Sequence, residues 1–318
     1  MTPIEKSSCL KVLFRYGLGK LPTDSPKAAA MTSIDALRPD AALRTMLDAQ
    51  TEAARAVGSA LPGIEEAAHR MAETLRNGGT VVYAAAGSSG LMALADACEL
   101  PGTFGIDPAR VRIAMAGGIP TDARMPGHTE DDTAEAEAVA ASMTPGDLLI
   151  AISASGTTPQ ALALTRAAQA KGIATVGVAN TPGSALLAVA DTAIALPTPP
   201  EVVEGSTRLG AGTAQKIALN MVSTLAGVLL GHVHDGMMVN LRPDNIKLRA
   251  RAETIVARIA GVQPDAARTA LEATAYDVKP AVLVALGHDP EDARRILDAH
   301  GQNLRQALQA ETPKTRRA

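Results

Sequence analysis

Two carboxylates, Glu99 and Glu130, stand where acid and base chemistry can be done. Glu99 falls within GSSGLMALADACELPGTFG (87–105) and Glu130 near the start of GHTEDDTAEAE (127–137). Each comes after an apolar run that reads as a strand, so both are expected on loops. Two glycine- and hydroxyl-rich turns accompany them, Gly87-Ser88-Ser89-Gly90 and Ser153-Ala154-Ser155-Gly156-Thr157-Thr158-Pro159. Small residues let backbone N–H groups approach a ligand, and a helix starting there adds partial positive charge. A third polar segment, EVVEGSTRLGAGTAQK (201–216), offers Glu201, Ser206, Thr207 and Lys216 as pocket residues. The combination predicts an acid/base site beside an anion cradle, the equipment for moving a proton on a phosphorylated small molecule. The plainer reading is that of ordinary helix caps, with Thr157, Thr158 and Thr213 as cap residues, and a solvated loop. GSSGLM lacks the spacing of a dinucleotide-binding turn, and no Gly-Lys-Ser/Thr comes after it to make a nucleotide phosphate loop.

The elements that must position these residues alternate. Apolar runs at 80–87, 110–117, 147–155, 174–180 and 192–197 read as strands, with room for helices at 89–98, 130–142, 158–171 and 184–190. That rhythm predicts a parallel sheet covered by helices on both faces, with ligands beyond the carboxyl ends of the strands. Two amphipathic helices split by Pro62-Gly63 precede it, and an apolar helix over 213–231 comes after it. From about 246 the chain reads as helices only. The expected organisation is an N-terminal arm (1–30), an α/β domain with its N-terminal helices (31–245) and a small all-helical C-terminal domain (246–318).

The chain has 318 residues, 47% of them hydrophobic, and a net charge of −3. This is ample for a large core, and no basic stripe suggests nucleic acid. No Trp, 3 Tyr and 2 Phe argue against base stacking. Cys9 and Cys98 form no framework, which fits a reduced, cytoplasmic setting. No signal-peptide core and no bilayer-spanning run is read. His128 neighbours Glu130 and is a candidate to tune it. His232 and His234 form only a weak metal pair, with no third ligand at suitable spacing.

GSSGLMALADACELPGTFG, AGG (116–118), Glu130-Asp131, SASGTTP, NTPGSAL (180–186), EVVEGSTRLGAGTAQKIALNMVST (201–224) and Asn245-Ile246-Lys247-Leu248 together carry a resemblance over residues 32 to 310. In these stretches the chain resembles the N-acetylmuramic acid 6-phosphate etherases, sugar isomerase (SIS) domain proteins related to the animal glucokinase regulatory protein. The resemblance implies a SIS-type sheet, a helical C-terminal extension and a homodimer with sites near the interface. It implies cleavage of the C3 lactyl ether of N-acetylmuramate 6-phosphate in cell-wall sugar recycling, without metal or organic cofactor. It also implies that Glu99 is the proton donor and Glu130 the second catalytic acid, the better candidate for the C2 base.

Leu91, Thr157 and Gly210 occupy positions where the family pattern carries basic residues, while Arg208, Lys216 and Lys247 remain. A charged hydrogen bond is worth about 1.5–3 kcal/mol, so these departures bear on the substrate more than on the chemistry. Two other readings stay open: a SIS-type enzyme acting on a less anionic sugar or as a phosphosugar isomerase, and a non-enzymatic sugar-phosphate sensor.

Overall fold

The computed structural model describes residues 33–125, 129 and 133–311. The chain divides into two units, residues 1–45 and 46–318. The described part of the first holds a 3₁₀ turn, Ile34–Ala36, and the opening turns of helix α1 (Pro39–Ala56).

Five parallel strands form the sheet of the second unit: β1 (Val81–Ala85), β2 (Val111–Met115), β3 (Leu148–Ser153), β4 (Ala174–Ala179) and β5 (Thr192–Ala195), in the order β2-β1-β3-β4-β5. Val81 pairs with Val111 on one side and Leu148 on the other, and Leu148 pairs with Ala174. The order reverses direction between β1 and β3, which makes their carboxyl ends the switch point of the sheet.

Alternation along the strands sends side chains to two cores. Tyr83, Ala85, Ile150, Ile152 and Val178 face α2 (Leu61–Arg76), α3 (Gly87–Phe104) and α7 (Gly210–Leu229). Val82, Ala84, Leu149 and Ala151 face α4 (Thr133–Ser142), α5 (Pro159–Ala170) and α6 (Ala185–Val189). With both faces covered, the strands are apolar throughout rather than alternating with polar residues. The fold is thus the expected α/β sheet with helices on both faces.

A two-stranded hairpin, β6 (Val233–His234) and β7 (Met237–Met238), leads to an all-helical region: α8 (Ile246–Ala260), α9 (Pro264–Ala273), α10 (Val278–Ala285), α11 (Pro290–Ala299) and α12 (Leu304–Glu311). These helices share a third core around Val256, Leu271, Val282 and Leu297, which recruits Val239 and Leu241 from the preceding segment. Among the described residues no helix is long and apolar enough to cross a membrane.

Several expectations shift. Pro62 opens α2 instead of splitting two helices, and the break is a 3₁₀ turn at Val57–Ala60. Gly87-Ser88-Ser89-Gly90 is the first turn of α3 and not a separate loop. The GHVHDG segment, for which no element is expected, forms the hairpin.

Candidate active site at the switch point

A cavity of about 160 Å³ opens between the carboxyl ends of β1 and β3. Gly87, Ser88 and Ser89 line it from the start of α3; Ser153, Ser155 and Thr158 line it from the β3–α5 turn; Thr207 reaches it from the loop before α7. The helix starts of α3 and α5 therefore meet at one place, each contributing unpaired N–H groups.

The β3–α5 turn is held by its own hydroxyls. Ser153 Oγ accepts from the Gly156 N–H (3.0 Å) and lies 2.8 Å from Thr158 Oγ1. Ser155 Oγ accepts from the N–H and the hydroxyl of Thr157, at 3.2 and 2.9 Å. Gly156 has φ +68°, and a Cβ there would lie 2.1 Å from Ser184 Oγ. Only glycine fits both the left-handed backbone and the space. Pro159 starts α5 as expected, but Thr158 makes no side-chain cap bond.

The hydroxyls of Ser88 and Ser89 make no hydrogen bond to another described residue, and both residues border the cavity. Their hydroxyls are thus available to a ligand. Among the described residues no lysine or arginine lines the cavity. There the cradle offers hydroxyls, N–H groups and helix ends.

The other sequence-predicted residues lie elsewhere. Gly90 is buried against Met115, where an added Cβ would sit 2.8 Å from the methionine side chain. Glu201 spends its carboxylate on the start of α7, accepting from the N–H groups of Gly210 (2.8 Å) and Ala211 (2.9 Å). An internal anion thus occupies that helix end. Thr213 is inside α7 and not its cap; its hydroxyl donates to Gln50. Ser206 is half-buried in the loop before α7, its N–H donating to Val203 O at 3.0 Å. Lys216 lines a different, apolar groove between α2 and α7.

Glu99 is an exposed residue of α3 and not of a loop. Pro101 sits inside the same helix, which ends at the left-handed cap Gly105. Eleven residues separate Ser88 from Glu99, about 16 Å along the axis at about 1.5 Å per residue. At about 3.6 residues per turn they share nearly one face. Glu130 and His128 lie outside the described residues.

Two acids that the sequence did not single out also stand near these elements. Glu135, in the first turn of α4, accepts from the Gly117 N–H (3.2 Å) just past the end of β2. The AGG run with an acid later in a helix's first turn was the available signal. Asp96 is 3% exposed and accepts from Tyr83 Oη (2.8 Å), Asn220 Nδ2 (2.7 Å) and Ser223 Oγ (2.8 Å). It ties α3 to β1 and α7. Burial, reinforced by Asp96, pushes the Tyr83 phenol well above its ordinary 10.0. Nothing local in the sequence marks Asp96, because its partners are up to 127 residues away. Among the described residues no group of three or more His, Cys, Asp and Glu is placed to hold a metal ion.

The SIS domain family matches residues 47–180, which span the sheet from β1 to β4 and the cradle's two turns. The N-acetylmuramic acid 6-phosphate etherase of Deinococcus radiodurans is 42% identical over 278 residues, covering 86% of this chain and 91% of that protein. Those of Symbiobacterium thermophilum and Pectobacterium atrosepticum are 43% and 38% identical, over 77% and 92% of this chain and 82% and 97% of theirs. The chain belongs to the N-acetylmuramic acid 6-phosphate etherase family.

Proposed function

We propose that the chain is a carbon–oxygen lyase that cleaves the C3 D-lactyl ether of N-acetylmuramic acid 6-phosphate. The products are N-acetylglucosamine 6-phosphate and D-lactate. The observation that carries this reading is family membership across most of the chain, on a fold whose switch point holds an anion cradle.

The chemistry comes from the open-chain sugar, whose aldehyde acidifies the C2 proton. A carboxylate removes that proton, the C3–O bond breaks and a carboxylic acid protonates the departing lactyl oxygen. Water then adds at C3, so the sum is substrate plus water giving two products. On the family resemblance alone, Glu99 is assigned leaving-group protonation and water activation, and Glu130 the C2 proton. Ser88, Ser89, Ser153, Ser155, Thr158 and Thr207 hold the phosphate.

The chain acts in the cytoplasm as a homodimer with its sites near the interface. The groove between α2 and α7 supports the dimer: it is lined by Leu61, Ile217, Met221, Leu225 and Val228, with Leu61 49% and Val228 45% exposed. The separate core around Leu271 and Val282 supports a C-terminal domain from about residue 246.

Incubation with N-acetylmuramate 6-phosphate should release D-lactate. Glu99→Gln should cut the rate at least ~100-fold, in the range of a lost general acid, while keeping exchange of the C2 proton with deuterated water. Glu130→Gln should lose both. No lactate from the wild-type protein sinks the reading, and undiminished release from Glu99→Gln sinks the assignment of the acid.

A further inference from the structure

A polar cavity of about 520 Å³ lies at the other end of α3. Its wall includes Gly105, Asn240, Arg242, Arg249, Tyr276 and Asp277. Gly105 is 18 residues beyond Gly87, about 27 Å along the helix, so this is not the switch-point site. Its volume falls within the roughly 300–1,000 Å³ typical of small-molecule pockets.

Two arginines and two aspartates face this space. Neither Arg242 nor Arg249 makes an ion pair among the described residues, although the carboxylates of Asp244 and Asp277 border the same space. Asp244 instead accepts from Asn245 Nδ2 at 2.9 Å. The Arg249 guanidinium carbon lies 5.0 Å from the centroid of the Tyr276 ring. Stacking covers a face of the guanidinium and leaves its N–H edge for an in-plane acceptor.

Tyr276 is held there by an unusual turn. Ala275 and Tyr276 both have left-handed backbones, φ +52° and +63°, although neither is glycine. The Tyr276 N–H donates to Leu271 O (2.7 Å), and the buried Thr274 hydroxyl is within 3.0 Å of the Asp277 carbonyl.

We propose that this cavity is a second small-molecule site, for a polyhydroxylated anion such as a sugar bearing a phosphate or a carboxylate. Arg242 and Arg249 take the anionic group in bidentate fashion, Tyr276 fixes Arg249, and Asp244 and Asp277 accept from sugar hydroxyls. Its wall is also the seat of α3. Asn240 Nδ2 donates to Phe104 O (2.7 Å), and a Cβ on Gly105 would lie 2.1 Å from Asn240 O. A ligand here therefore bears on the end of the helix that carries Glu99.

The chain has 3 tyrosines, so fluorotyrosine labelling gives three ¹⁹F resonances, with Tyr276 assigned by Tyr276→Phe. Titration of the full chain with N-acetylglucosamine 6-phosphate and with glucuronate separates the phosphate from the carboxylate source. Neutral N-acetylglucosamine is the control. The Tyr276 resonance should shift and saturate with one or both anions. It should need at least tenfold more ligand in Arg242→Gln and in Arg249→Gln, and be unchanged in Ser88→Ala. Both arginines are exposed, so these variants should fold, and Arg249→Lys, which keeps the charge without the fork, should fall between. The proposal is overturned by no Tyr276 shift with either anion, by an equal response to the neutral sugar, by a response surviving both Gln variants, or by one lost in Ser88→Ala. Lactate release is assayed separately, so failure of the lyase reading does not mimic failure of this one.

Discussion

His232 is kept neutral by its surroundings. Burial holds its imidazole at about 3, well below the ordinary 6.5, and the charge of Lys279 adds to the effect. A depressed value in the folded state means stability that is complete above 6.5 and lost as pH falls towards 3. Over that window the unfolded chain takes up a proton that the folded one refuses, at most about 1.4 kcal/mol per pH unit. Urea midpoints measured from pH 7 to pH 4 should fall, and His232→Gln should flatten part of that slope. An unchanged slope would show that other groups govern acid unfolding. Tyr83 has the opposite sign: its raised value gives stability that is present below about pH 10 and lost above it.

The β3–α5 turn makes an element-scale prediction. Gly156→Ala imposes a left-handed alanine and forces its Cβ against Ser184. The backbone costs about 1–2 kcal/mol and the overpacking about 1–3 kcal/mol. Thermal or urea unfolding should register a loss of about 2–5 kcal/mol, and a change under about 0.5 kcal/mol, the ordinary surface range, would contradict the geometry. Each strand falls inside its sequence-predicted run, because doubly buried strands announce themselves as unbroken apolar segments. The C-terminal helices match for a related reason: Gln263, Asp277 and Asp289 stand just before helix starts and Gly261 just past an end. The start of α3 was legible to within two residues, because a helix is expected from 89. Its end was not, because the expected helix stops at 98. Pro101 forgoes its own N–H bond and crowds the carbonyl four residues back, and α3 still runs on to Phe104. The four hairpin residues are too few to show a period.

At the scale of the molecule, three cores divide the work: two sandwich the sheet and one holds the C-terminal helices. The cradle was legible as two hydroxyl-rich segments, because their placement at strand ends comes from the alternation itself. The fate of Glu201 and Lys216 was not, because only the folded chain shows that one carboxylate is already engaged and one amine points to another groove. That no lysine or arginine lines the cradle among the described residues also governs how substrate arrives. A ring of lysines would draw sugar phosphates in from a distance and weaken as ionic strength rises. Hydroxyls and N–H groups act only on contact, and the chain's own net charge of −3 offers no long-range attraction. Capture should therefore be unsteered, with KM for a phosphorylated substrate changing less than about twofold from low to physiological ionic strength. Such an enzyme recognises its phosphate by fit, and it trades speed of encounter for indifference to the salt around it.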